Sequence, residues 1–174
     1  MGFISFISDI GFAHTLSIIM QWGFLMAFLY SLVSSINSRF KALVILSLIM
    51  AVSYFPGMFF NFQTVTYFDI ALLDAITLVI LALVQNLYIK EKTIAFNYLM
   101  FGLSINMCLA LGMYLDRHIL QNYTHWWFYD FYVTVVLVLD LSMILVLFIN
   151  RDFLKIIYLK TLFTRSLLRN RNSE

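Results

Sequence analysis

Hydrophobic residues in this chain come in long runs rather than in alternation, and polar residues gather in short breaks between them. Five runs reach the length of a membrane span, roughly 12–35, 42–60, 67–89, 93–115 and 126–149. A helix that crosses a bilayer needs about 20 mostly apolar residues. Inside lipid a backbone has to satisfy its own hydrogen bonds, and a helix does so. The pattern predicts an all-α, polytopic membrane protein with five transmembrane helices making up residues 1–150, followed by a tail over 151–174. Residues 1–11 read as a short apolar lead-in carrying Asp9, lying at the membrane surface.

The fifth run is the clearest. It opens on an aromatic belt, Trp126-Trp127-Phe128-Tyr129, closes at Arg151, and carries one carboxylate, Asp140, near its middle. Tryptophan and tyrosine favour the membrane interface. The second run contains Pro56-Gly57, where proline loosens the helix near its exit.

Charge then gives the runs a direction. Arg39, Lys41, Lys90 and Lys92 follow the first and third runs, and Arg151, Lys155, Lys160, Arg165, Arg169 and Arg171 follow the fifth; only Arg117 falls on the other side. Basic residues flank spans on the cytoplasmic side. The expected topology has the N-terminus outside and a cytoplasmic basic C-terminal tail, in a multi-pass protein of the cell's inner (plasma) membrane.

Composition agrees with lipid as the solvent. With 63% apolar side chains and 11% charged ones, the chain has too little polar surface for a soluble domain. Cys108, the single cysteine, excludes an intrachain disulfide and a thiolate metal cluster, and reads as a buried packing residue. No P-loop, nucleophile elbow, His-Glu-x-x-His or Gly-x-Gly-Asp pair is present, and no loop is large enough for a catalytic domain. The expectation is a non-enzymatic protein with no cofactor, no metal and no direct contact with nucleic acid. Asp116, His118 and His125 lack a metal-ligand spacing, so their loop reads as interfacial anchoring. Asn122-Tyr123-Thr124 matches a glycosylation acceptor close to the membrane.

Within the runs, small and polar residues define candidate sites. Gly23, Ala27, Ser31 and Ser35 recur every four residues, a ladder that lets a second helix approach closely, within one chain or between copies. Ser104, Cys108 and Gly112 make a second one. Gln21 reads as an interhelix hydrogen-bonding group. Asp140, Asp74, Asn106 and Asn97 are the intramembrane polar set. A carboxylate near the bilayer centre costs about 2.5–3.5 kcal/mol on insertion scales, so Asp140 should face other helices or water. No Lys or Arg lies at its depth. Its expected partners are Asn106, Ser104 or Asp140 of a second copy. It serves either as a polar clasp or in ion or proton passage. Asp69 and Asp130 sit at the interface.

A shift of 61 residues lays Asp69 on Asp130, Lys90 on Arg151 and Glu91 on Asp152. Duplication explains this, as does the common need of such helices for an aromatic start and a basic end. In the tail, Lys155, Lys160, Arg165 and Arg169 stand among apolar residues, suited to anionic lipid or to an acidic cytoplasmic protein.

Two functions fit. The first is an oligomeric membrane anchor or sensor subunit that engages a cytoplasmic partner through the tail. Bacterial defence and stress systems contain small membrane subunits of this general build, an analogy of architecture alone. The second is an ion or proton channel or small transporter that uses Asp140 and Asp74.

Overall fold

The structure, a computed structural model, describes residues 10–36, 41–55, 66–89, 93–122, 124 and 126–149, with side chains of the first helix from Thr15 onward. The described residues are helical, with no strand among them. Five α-helices follow in order: α1 (Ile10–Ser35), α2 (Ala42–Tyr54), α3 (Tyr67–Leu87), α4 (Ile94–Tyr114) and α5 (Trp127–Ile149). A π-helical turn, Leu115–Ile119, prolongs α4. Four of the helices are long and apolar enough to cross a membrane.

The second helix differs from its expected 42–60. It has 13 residues, which at 1.5 Å each is about 20 Å, against a hydrocarbon core of about 30 Å. The next residue after Phe55 is Pro56, whose nitrogen has no hydrogen for the helical ladder. Pro56 itself lies outside the described residues, as do the basic tail, Arg39, Lys90 and Lys92.

Local signals set the helix starts. Thr66 and Asp69 form a capping box at α3, with the Thr66 hydroxyl accepting from the Asp69 backbone N–H and the Asp69 carboxylate accepting from the Thr66 backbone N–H at 2.9 Å. Thr93 caps α4 by accepting from the Phe96 N–H. At the far end of α3, the Gln85 side chain donates to the Ile89 carbonyl at 3.0 Å, occupying an acceptor beyond the helix. Asp69 and Asp130 both fall in first turns, where a helix favours negative charge.

Each helix packs on the next in the chain, and α1 closes onto α5, so the five form a ring. The seam between α1 and α5 rests on the first small-residue ladder. Ala27 is fully buried, and a Cβ on Gly23 would stand 2.7 Å from Cδ1 of Ile144. Ser31 is buried and Ser35 half-buried. The ladder is thus occupied within the chain.

The second ladder is different. Cys108 is exposed, contrary to the buried role expected of it. The inward face of α4 runs through Leu99, Gly102, Asn106, Ala110 and Met113, all buried. At 100° per residue, Cys108 lies about 200° from Asn106 and must point away from it. The close approach to α5 is made at Gly102, where a Cβ would meet Met143 Sδ at 2.7 Å. Gly112 does sit against a neighbour, the Phe128 ring.

Polarity is distributed inside out. Asp74, Thr77, Gln85, Asn106, Asp140 and Ser142 are buried, while Leu72, Ile76, Val79, Leu83, Val138 and Leu145 are exposed. In water such a surface would associate; in lipid it is the solvated one. The core is also lopsided. Its densest part joins Phe24, Leu46, Met50, Leu81, Leu99, Leu103, Met143 and Leu147, toward the C-terminal halves of α3 and α5. The opposite half of the ring is less filled.

Candidate functional site

That less-filled half holds a cavity of about 290 Å³ lined by all five helices. Ser17 and Gln21 come from α1, Ser53 and Tyr54 from the end of α2, Asp74 from the start of α3, Asn106 from α4, and Tyr132 and Asp140 from α5. Between these stand aliphatic walls, among them Leu16, Leu73, Val136 and Leu137. Every contributing segment lies toward the end of the bundle that holds the α4–α5 connection.

Asp140 sits 13 residues into α5, about 20 Å along the helix from Trp127. Its Oδ1 accepts two hydrogen bonds, from the Tyr54 hydroxyl at 2.7 Å and from Nδ2 of Asn106 at 2.9 Å. One oxygen therefore ties α2, α4 and α5 together. The Tyr54 ring is fixed in turn by Phe24, with centroids 4.3 Å apart. Oδ2 of Asp140 makes no hydrogen bond to another described residue. Of the partners expected for Asp140, Asn106 is present. Ser104 donates to the carbonyl of Met100 on its own helix instead. Tyr54 escaped the sequence reading, because nothing in the chain relates positions 54 and 140.

Asp74 lies seven residues into α3, about 10 Å from Tyr67. It is buried and makes no hydrogen bond to another described residue, yet it lines the same cavity as Asp140. The two carboxyls are thus stepped in depth along one space. Behind them, Thr77 donates to the Leu73 carbonyl at 2.8 Å, so its oxygen is left to accept from Ser53 across the α2–α3 seam.

Two amides complete the wall. Gln21 donates to Ser17 on its own helix at 3.5 Å, rather than to another helix as expected, and its Oε1 is buried without a hydrogen-bond partner. Asn106 uses its nitrogen on Asp140, and its Oδ1 is likewise unpartnered. Both residues are more than nine-tenths buried. The lining contains no Lys, Arg or His. Asp74 and Asp140 are thus the acidic groups of the cavity, with no basic residue in its lining. Asn97 does not belong to it: it lies in the first turn of α4, at the other end, and donates to Thr93 O at 3.4 Å.

The described residues of the α4–α5 connection make specific contacts. Asp116 is buried and accepts from the indole N–H of Trp126 at 2.9 Å and from the Asn122 amide at 3.2 Å. Arg117 lies over the Tyr129 ring, 5.5 Å from its centroid. Gln121 takes φ 51°, a left-handed turn that brings the chain back. The Asn122 nitrogen, the atom a glycan would take, is engaged by Asp116. Among the described residues no group of three His, Cys, Asp or Glu is placed to hold a metal.

Compared with known proteins, the chain matches no family model, no curated protein sequence and no solved structure.

Proposed function

We propose that this chain is a non-enzymatic integral membrane protein that admits a cation or a proton to an acidic cavity within its helix ring, as a channel or small transporter. One observation carries the reading: Asp74 and Asp140, on different helices, line a single cavity without a basic residue among its lining. Intramembrane carboxyls of this kind mark ion and proton pathways. A pure clasp needs Asp140 and its two donors. It does not need Asp74, which lines the same space without a hydrogen bond to a described residue.

The finer arrangement is part of the proposal. All five helices are taken as spans, with α2 completed by residues beyond Tyr54. The N-terminus faces outside, the basic tail faces the cytoplasm, and the membrane is the inner one. The cavity then opens toward the outside. Lys155, Lys160, Arg165 and Arg169 engage lipid headgroups or a cytoplasmic protein, the basis of the anchor or sensor alternative. Self-association would use exposed faces rather than the Gly23 ladder.

The test is flux into proteoliposomes under a proton or salt gradient, with wild type beside Asp140→Asn, Asp74→Asn and Asp69→Asn. Flux that falls in the first two and persists in the third is expected. Absence of flux in the wild type under every gradient, with the protein correctly folded, removes the pathway reading and leaves the anchor.

A further inference from the structure

The shape and lining of the cavity bear on which cation it admits. A dehydrated metal ion is held by several oxygens at once, six or more for the larger hard cations, in a space little bigger than itself. This cavity is much roomier. At about 290 Å³ it is close to twice the roughly 150 Å³ apolar cavity that accommodates benzene. Much of its wall is aliphatic or aromatic, with Leu73, Val136, Leu137 and the Tyr132 ring among the contributors. Ligand sites for small organic molecules have this make-up, a mostly apolar pocket with a few placed polar groups.

The polar groups select the charge. Asp74 has no hydrogen bond to a described residue, and Asp140 leaves Oδ2 in the same condition. A buried charge is ordinarily paired, and the lining offers no Lys, Arg or His to pair with either carboxyl. A metal ion, an anion and a neutral hydrocarbon each fail one requirement: the first leaves the apolar wall bare, the second meets two carboxyls, the third brings no charge to them.

We infer that the cavity binds a small amphipathic organic cation, an amine or quaternary ammonium with one hydrocarbon group, its charge against Asp74 and Asp140 and its apolar part against the α5 wall at Val136 and Leu137. Tyr132 supplies an aromatic surface suited to a cationic headgroup. The inference rests on the cation-pathway reading and names its substrate class. Entry is from the end of the bundle where Asp74 lies, because that carboxyl is the shallower of the two.

The experiment uses the full chain in nanodiscs and titrates it calorimetrically with benzyltrimethylammonium. The neutral isostere neopentylbenzene and sodium chloride serve as comparison probes. Saturable binding of the ammonium is expected, weaker by about tenfold or more in Asp74→Asn, the loss of one charged contact. Val136→Phe, which fills the cavity and keeps both carboxyls, should weaken it as well. Circular dichroism melting of each variant separates loss of the site from loss of the fold. Equal binding of neopentylbenzene, or ammonium binding unchanged in both variants, overturns the inference by placing the probe in lipid or on the surface. No ammonium binding by a protein that still conducts protons or sodium overturns the inference alone. No binding together with no flux overturns the pathway reading with it.

Discussion

Replacing Tyr54 by Phe removes a single oxygen and leaves the ring on Phe24, so it isolates the hydrogen bond to Asp140. That bond is 2.7 Å long and ends on an oxygen that also accepts from Asn106. A hydrogen bond to a charged group contributes about 1.5–3 kcal/mol net. Here the loss is reduced, because Asn106 still serves Oδ1 and water from the adjoining cavity can take the vacated position. The expected destabilisation is about 1–2 kcal/mol. The reference is the same substitution made in Asp140→Leu, where the hydroxyl has lost its acceptor. There Tyr54→Phe should be close to neutral, giving a coupling energy of about 1 kcal/mol or more between the two positions. Equilibrium unfolding in mixed detergent micelles measures all four proteins. A loss below about 0.5 kcal/mol in the wild-type background, or an equal loss in both backgrounds, would mean that Tyr54 does not hold Asp140.

Two further outcomes follow from the packing. Ala27→Leu should destabilise the chain by about 1–3 kcal/mol through overpacking at the α1–α5 seam, without changing its oligomeric size in detergent; a change of size at constant stability would show that the ladder joins copies rather than helices of one chain. Asp116→Ala should free the indole of Trp126 and loosen the α4–α5 connection, read as a red-shifted tryptophan emission relative to wild type, and an unchanged spectrum would deny the Asp116–Trp126 bond.

Much of the fold could be read from hydrophobic run length alone, since a span is a property of local composition. The expected limits 67–89, 93–115 and 126–149 differ by two residues or fewer from the described ends of α3, α4 and α5. Run length could not tell where α2 would stop, because Phe55 to Phe60 are mostly apolar whether or not they are helical. The faces of the helices were harder. Ser104, Cys108 and Gly112 have the spacing of a contact ladder, yet Cys108 points out and Gly102 makes the closest approach. Apart from Asn97, Ser104 and Asn106, α4 is apolar or small, so its sequence carried little amphipathic contrast to choose the face. Buried polar groups gave the better clue. Asp140 was legible as a group in need of partners, and Asn106 as one that could supply a hydrogen bond. Their meeting with Tyr54 and Asp74 depends on the closing of the ring, which no local pattern encodes. The capping box at Thr66 and Asp69 was visible as Thr-x-x-Asp, a signal masked by reading Asp69 only as an interfacial charge.

The central claim is that Asp74 and Asp140 face one water-accessible, cation-selecting space. Thiol accessibility at its wall tests this most directly. With Cys108 changed to Ser, a cysteine at Val136 lines the cavity and offers the only thiol. The protein in nanodiscs is treated with a cationic and an anionic methanethiosulfonate of similar size, and the two rates are compared. The account predicts reaction with both and a preference for the cationic reagent of about tenfold or more, since focused negative potential raises the local concentration of cations. That preference should fall when Asp74 and Asp140 are both changed to Asn. A thiol at position 136 that reacts with neither reagent, or with both at rates unaffected by the two carboxyls, would contradict it.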